Sequence, residues 1–475
     1  MHKVLLCILD GFGVSEEYYG NATLEATYIQ NLIRTNNIAF LEASGRSVGL
    51  PDGQFGNSEV GHLTIGSGQV IKQKLPLISD AILCGEIDEN KSLKNFIKNI
   101  RGSCHLMGLF SNGGVHSDLS HFFWAIKFLR ANNINIKAHL FLDGRDVDQK
   151  DALKTLKYAI DSGQIRLSEI ATISGRYYAM DRDNKLDRTK KAFDSIVKGI
   201  ADSRAFDPIL KIQEFYDQGI FDEMIPPFIV GEYEHAMQQD SFWMLNFRTD
   251  RIKQILKMII DAKFDLLNMV DCGQDIDSKA STIFPSISVQ NTLGEILSNK
   301  GISQLRIAET EKYAHVTYFF NGGAEIQYPG EDRILVPSPN VKDYATTPDM
   351  SSEKVTEHII EALSKSSHQV IIANYATPDM IGHTGNFEAT KQALQMLDKH
   401  IEDVVRVARD NDYIVVITSD HGNSESMIDQ FDKPIKTHTN NKVPLILLPK
   451  IKTNIECKSL ADISSLIQSL VFVGN

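Results

Sequence analysis

Gln369-Val-Ile-Ile-Ala-Asn-Tyr-Ala-Thr-Pro-Asp-Met-Ile-Gly-His383 and Tyr413-Ile-Val-Val-Ile-Thr-Ser-Asp-His-Gly-Asn423 decide the fold. Each opens on an apolar run that reads as a buried strand of an open parallel sheet. Each then delivers a carboxylate and an imidazole: Asp379 with His383, and Asp420 with His421. Strand ends in such sheets are where α/β folds place ligands, and carboxylate with imidazole suits borderline divalent ions such as Mn²⁺ or Zn²⁺. The pattern recurs in Val4-Leu-Leu-Cys-Ile-Leu-Asp10-Gly-Phe-Gly, with Asp10 at a strand end. A further imidazole, His438, precedes the apolar run Val443-Pro-Leu-Ile-Leu-Leu448. Singly, Asp379 after Pro378 fits a turn, as does Asp420-His421-Gly422. Four such clusters beside four strands point to a two-metal hydrolytic or phosphoryl-transfer centre.

The rest of the chain reads as α/β, with short β-type runs alternating with amphipathic stretches. Further strands are expected over 105–110, 137–142, 170–173 and 242–246, and helices over 119–131, 150–162, 189–200, 250–261, 353–366 and 387–408. In the last, Ala393, Leu394, Leu397, Ile401, Val404 and Val405 form a stripe at helical spacing. A length of 475 residues exceeds one ordinary core, so two domains are expected. The metal-type residues lie near both ends, whereas the centre carries a set rich in arginine. That split predicts a metal-binding domain from residues 1–72 and 287–475, with a second α/β domain, 73–286, inserted into it.

Composition narrows the partners. A net charge of −12 argues against a broad nucleic-acid surface, though not against a local basic pocket for a small anion. Cys7, Cys84, Cys104, Cys272 and Cys457 are scattered and odd in number, as in a reduced cytoplasmic protein rather than a disulfide framework. Asp10 ends the first apolar stretch too soon for a signal peptide, and no run approaches the roughly 20 apolar residues of a bilayer span. A soluble, cytoplasmic protein without membrane partners is expected.

Two further constellations stand out. Gly53-Gln-Phe-Gly-Asn-Ser58-Glu-Val-Gly-His62 places a serine among small residues at the start of an expected helix. By itself that is a turn with a helix cap, and His62 could be packing within the helix. Beside metal clusters, Ser58 becomes a hydroxyl whose pKa a cation would lower, at a helix end that favours phosphate. Arginines stand where three strands give way to loops: Asp143-Gly-Arg145-Asp146, Ser174-Gly-Arg176 and Asn246-Phe-Arg248-Thr-Asp-Arg251. Each alone would be a surface residue; together they suit a small polyanion, because guanidinium forks bind carboxylate and phosphate. Lys312 taken alone reads as a solvated lysine, and His315 as a structural histidine.

An ordered series of motifs completes the reading: I-L-D-G-F-G, G-N-S-E-V-G-H, N-G-G-V-H-S, F-L-D-G-R-D, S-G-R-Y-Y-A-M-D-R-D, N-F-R-T-D-R, R-I-A-E-T-E-K-Y-A-H-V-T, N-Y-A-T-P-D-M-I-G-H, S-D-H-G-N and H-T-N-N-K-V-P. By these the chain resembles the cofactor-independent (2,3-bisphosphoglycerate-independent) phosphoglycerate mutases of the alkaline phosphatase superfamily, over nearly its whole length. The resemblance implies an alkaline-phosphatase-like metal domain with a mostly parallel sheet, and a monomer. It implies two Mn²⁺ ions, with Zn²⁺ or Co²⁺ as alternatives: one held by Asp379, His383 and His438, the other by Asp10, Ser58, Asp420 and His421. It further implies that Ser58 is the nucleophile and becomes phosphoserine, that Lys312 reaches the phosphate, and that Asp146 shuttles protons. His116, Arg145, Asp146, Arg176, Arg182, Arg248 and Arg251 would bind the glycerate of 3- and 2-phosphoglycerate. Two departures are Asn440, where relatives carry a second threonine, and an end at Asn475 short of the family's usual closing segment, which bears on the last helix. Rival readings are another enzyme of the superfamily, such as a phosphopentomutase or phosphomonoesterase, and a metal- or anion-binding protein without catalysis.

Overall fold

Alternation along the first strand, Lys3–Leu9, shows how the molecule is layered. Leu5, Cys7 and Leu9 enter one hydrophobic core, while Val4, Leu6 and Ile8 enter another, because successive side chains leave a strand on opposite faces. A strand buried on both faces reads as an unbroken apolar run, and this one lies in the middle of a seven-stranded sheet. The structure is a computed structural model that describes residues 2–286, 289–451 and 455–472. The closing residues 473–475 lie outside the described residues, whereas the last helix, Asp462–Phe472, is described and buries Ile463, Leu466, Ile467 and Leu470.

The chain forms two compact units, residues 1–73 with 288–475, and residues 74–287; the sequence expectation was 1–72 with 287–475, and 73–286. In the first unit the sheet order is Glu331–Val336, Gln304–Glu309, Val370–Tyr375, Lys3–Leu9, Tyr413–Thr418, Val443–Leu448 and Asn37–Leu41. The first five run parallel, and Val443–Leu448 is antiparallel to Tyr413–Thr418. That reversal explains His438: a residue before an antiparallel strand lies at the same edge as residues after its parallel neighbours. The long helix Phe387–Asp410 is capped by Asn386, whose side chain accepts from the Ala389 amide at 3.1 Å. It lays Leu394, Leu397, Ile401, Val404 and Ala408 on one face of the sheet. Each fully buried aliphatic contributes about 1.5–3 kcal/mol relative to exposure. Helices Ser58–Ser67, Leu293–Asn299 and Asp462–Phe472 cover the other face.

The second unit has its own eight-stranded sheet, ordered Ser281–Phe284, Asp265–Val270, Ser241–Met244, Cys104–Leu109, Ile136–Leu142, Ile170–Gly175, Phe228–Val230 and Ser203–Ala205. It is parallel up to Ile170–Gly175, which pairs antiparallel with Phe228–Val230. Helices Leu119–Ala131 and Asp151–Asp161 pack on one face, Leu186–Lys198 and Lys253–Asp261 on the other. No helix among the described residues is long and apolar enough to cross a membrane.

Candidate active site

Four chain segments meet at the carboxyl edge of the first sheet. Asp379 lies in the short helix Thr377–Gly382 that follows Val370–Tyr375, with Pro378 in its first turn, and His383 follows one turn later. Asp379 Oδ1 lies 3.2 Å from His383 Nε2 and 3.2 Å from His438 Nε2, and the two Nε2 atoms are 3.0 Å apart. Asp10, Asp420 and His421 form a second group, with His421 Nε2 3.4 Å from Asp10 and 3.6 Å from Asp420. The groups adjoin, since His421 Nε2 is 4.0 Å from Asp379 Oδ1 and its ring stacks on His438 at 3.9 Å.

Whether these residues suit cations is decided by their hydrogens. Nδ1 of His383, His438 and His421 faces the carbonyls of Lys436, Gly56 and Gly422 at 2.8, 2.8 and 3.2 Å. A carbonyl only accepts, so Nδ1 carries the hydrogen and Nε2 turns toward the carboxylates, the outer arrangement typical of metal-ligating histidine. Asp420 Oδ2 is buried and, although His62 Nδ1 lies at 3.2 Å and His421 Nε2 at 3.6 Å, it accepts no hydrogen bond among the described residues, which leaves an acceptor for a cation. Both three-residue sets therefore fit a divalent ion.

The electrostatics point the same way. Burial works against both the Asp10 and Asp379 carboxylates, yet the Lys312 ammonium and nearby imidazoles hold both far below the usual range. Burial likewise opposes a charged His421, but Asp420, Asp10 and Asp379 outweigh it and raise its pKa to about 10. A cation must displace that proton. Mn²⁺ titration of the metal-free protein at pH 7–8 is therefore expected to release about one proton or more per chain, with affinity rising toward pH 10. Calorimetry in buffers of different ionisation enthalpy measures this, and proton-neutral binding would contradict it.

Ser58 is the first residue of the helix Ser58–Ser67. The capping role suggested for it falls to Asn57, whose side chain accepts from the Val60 amide at 3.1 Å. Ser58 Oγ is thereby left to lie 3.2 Å from Asp10 Oδ1, 3.0 Å from His421 Nε2 and 2.7 Å from Lys312 Nζ. Lys312, expected from its own sequence context to be solvated, is 3% exposed. Its ammonium also contacts Asp10 at 2.7 Å and Asp379 at 2.6 Å. Burial disfavours that charge, but Asp10, Asp379 and Asp420 more than compensate and raise its pKa. His315 stacks on Phe319 at 5.4 Å.

Three polar side chains not named from the sequence complete the surroundings. Asn374 donates to Asp10 Oδ2 at 2.8 Å and approaches His62 Nε2 at 3.1 Å, while His62 Nδ1 lies 2.9 Å from the Ser58 carbonyl. Asn423 donates to Asp379 Oδ1 at 2.9 Å, and buried Glu425 joins the loops around it. The available signals were an asparagine inside an apolar strand and the last residue of S-D-H-G-N.

The arginine set belongs to the second unit. Arg145, Arg176, Arg182 and Arg251 line a cleft of about 270 Å³ together with Tyr177 and Arg188. Arg176, 1% exposed, binds Asp143 at 2.5 Å and Asp146 at 2.6 Å through Nη1, leaving its buried Nε and Nη2 without hydrogen-bond partners among the described residues. Burial and then the charges of Arg176, Arg145 and Arg182 lower the pKa of Arg251, a mutual repulsion that a bound anion relieves. His116 lies 3.8 Å from Asp146, and burial followed by Arg176 lowers its pKa to about 4, so it is neutral near pH 7. Arg248 is exposed and pairs with Asp250 at 3.1 Å, outside the cleft lining.

Comparison with known proteins gives concordant results. A metalloenzyme superfamily profile matches residues 2–472. A 2,3-bisphosphoglycerate-independent phosphoglycerate mutase of Ehrlichia canis (strain Jake) is 46% identical over 94% of this chain and 91% of its own length. A protein of the same name from Antithamnion sp. is 42% identical over 99% of this chain and 96% of its own. Among solved structures, Leishmania mexicana phosphoglycerate mutase at low cobalt concentration superposes with a TM-score of 0.65 at 27% identity, covering 99% of this chain and 95% of the other.

Proposed function

We propose, for a chain that belongs to the metalloenzyme superfamily and within it to the 2,3-bisphosphoglycerate-independent phosphoglycerate mutases, an interconversion of 3- and 2-phosphoglycerate through phosphoserine at Ser58. The reaction is an isomerisation by intramolecular phosphoryl transfer, a step of glycolysis and gluconeogenesis. The observation that carries the Ser58 route is the position of its hydroxyl, within 3.2 Å of Asp10, His421 and Lys312 at a helix amino terminus.

Two Mn²⁺ ions, one held by Asp379, His383 and His438 and one by Asp10, Ser58, Asp420 and His421, would supply positive charge and lower the pKa of the serine hydroxyl. Ser58 Oγ gives up its proton to solvent and forms a bond to phosphorus as the bond from phosphorus to O3 of glycerate breaks, and the balancing proton reaches O3 from solvent by way of Asp146. The helix amino terminus and the Lys312 ammonium face the charge that gathers on the phosphoryl oxygens. Arg176, with its free Nε and Nη2, grips the glycerate carboxylate, assisted by Arg145, Arg182 and Arg251 of the same cleft, while Arg248 would join them only on leaving Asp250. Asp146 supplies a proton to O3 and then takes one from O2, which attacks the phosphoserine and frees Ser58. Neutral His116 serves as a hydrogen-bond partner beside Asp146. Retaining glycerate between the two transfers separates a mutase from a phosphatase.

We take the enzyme to act on this small anion in the cytoplasm, a reading that five scattered free cysteines support, and, as its resemblance to the family implies, as a monomer. The direct test is interconversion of the two phosphoglycerates with no bisphosphoglycerate added. Turnover is expected with Mn²⁺, loss of activity after chelation, and recovery on readdition. Turnover of ribose phosphates instead, or anion binding without turnover, would overturn the reading.

A further inference from the structure

Glu425 is 1% exposed, and each of its carboxylate oxygens is engaged twice. Oε2 accepts from the backbone amides of Gly13 at 3.1 Å and Asn423 at 2.8 Å. Oε1 accepts from the Thr439 hydroxyl and, at 3.0 Å, from the Asn441 side-chain amide. Four donors fill the ordinary capacity of a carboxylate, so Glu425 has no lone pair left with which to ligate a cation. A buried charge is expensive unless satisfied in this way.

What the four donors belong to gives the arrangement meaning. Gly13 lies three residues after Asp10, Asn423 two after His421, and Thr439 directly after His438. Asn423 in turn donates its side-chain amide to Asp379 at 2.9 Å. One carboxylate thus ties three of the ligand-bearing segments directly and reaches the fourth through Asn423, although these segments lie far apart in sequence. The local glycines are shaped to it. A Cβ at Gly13 or Gly422 would overlap the Glu425 carboxyl group.

We propose that Glu425 is a positioning residue, a non-ligating carboxylate that holds the Asp10, Asp379, Asp420–His421 and His438 segments in register and so sets the affinity of the centre for divalent cations. The proposal rests on the two-cation reading above. Outer partners of metal ligands typically change affinity by about 10- to 100-fold when altered. Glu425→Gln is an informative change, because its two ends differ. The backbone amides at Oε2 cannot reverse and keep an oxygen acceptor, whereas Thr439 can rotate and Asn441 can flip to accept from the new amide. The variant therefore retains hydrogen bonds but loses charge and shifts the segment next to His438.

The experiment is calorimetric titration of the metal-free full-length wild type and Glu425→Gln with Mn²⁺ alone, alongside thermal melts of both metal-free proteins. Expected are a Kd weakened by about 10-fold or more and a metal-free melting temperature near that of wild type. A Kd within twofold of wild type, or a fall in melting temperature with unchanged Kd, overturns the proposal and leaves Glu425 a packing residue. Should Glu425→Gln fail to fold, Thr439→Ala removes one donor without disturbing the carboxylate, and an unchanged Mn²⁺ affinity there overturns it equally. A wild type that binds no Mn²⁺ would refute the two-cation reading itself, a different result from either.

Discussion

Ser58→Ala is expected to lose at least about 10,000-fold in kcat for phosphoglycerate interconversion, the scale on which removal of a catalytic nucleophile acts. Ser58 Oγ is the hydroxyl placed between Asp10, His421 and Lys312 at the start of its helix, and alanine leaves no oxygen there to accept a phosphoryl group. The fold should survive, because helix capping is done by Asn57. An enolase-coupled assay reads the loss, and mass spectrometry of rapidly quenched enzyme reads the second half: wild type should carry phosphate on Ser58 and the variant none. Near-wild-type turnover in Ser58→Ala would end the phosphoserine scheme whatever the metal content.

Lys312→Met should lower kcat by about 1,000-fold, as for other fixed cations that face a transferring phosphoryl group. Methionine keeps most of the side-chain volume and removes the ammonium held between Asp10 and Asp379. Cation binding should respond in the opposite sense. With one positive charge gone from a cluster of three carboxylates, the metal-free variant should bind Mn²⁺ at least as tightly as wild type. Activity lost together with Mn²⁺ affinity would instead make Lys312 a structural support of the ligands. Measuring kcat at saturating Mn²⁺ together with a Mn²⁺ titration separates the two outcomes.

The sequence makes the long apolar strands and striped helices legible, and for one reason: complete burial imposes an unbroken apolar run or a helical stripe. Lys3–Leu9, Val370–Tyr375 and Phe387–Asp410 are of this kind. Gln304–Glu309 was not legible, although it is buried throughout and lies inside the sheet. Its Gln304, Arg306 and Glu309 break the apolar pattern, and only the folded chain shows how Arg306 is accommodated, over the Phe320 ring at 4.4 Å and against Gln304 at 2.6 Å. The short edge strands Ser203–Ala205 and Ser281–Phe284 carry too few residues for a period to emerge. In the candidate site the contrast is similar. Ligand-type residues announce themselves by chemistry and by position after a strand, whereas Asn374, Asn423 and Glu425 matter only through partners hundreds of residues away or across a loop.

The middle strand of the metal-binding sheet, Lys3–Leu9, takes its two neighbours from residues 370–375 and 413–418. During translation at about 5–20 residues per second, it therefore leaves the ribosome roughly 20–70 s before either edge can be paired. Throughout that interval an unbroken aliphatic segment with two open backbone edges stays available to any other nascent chain.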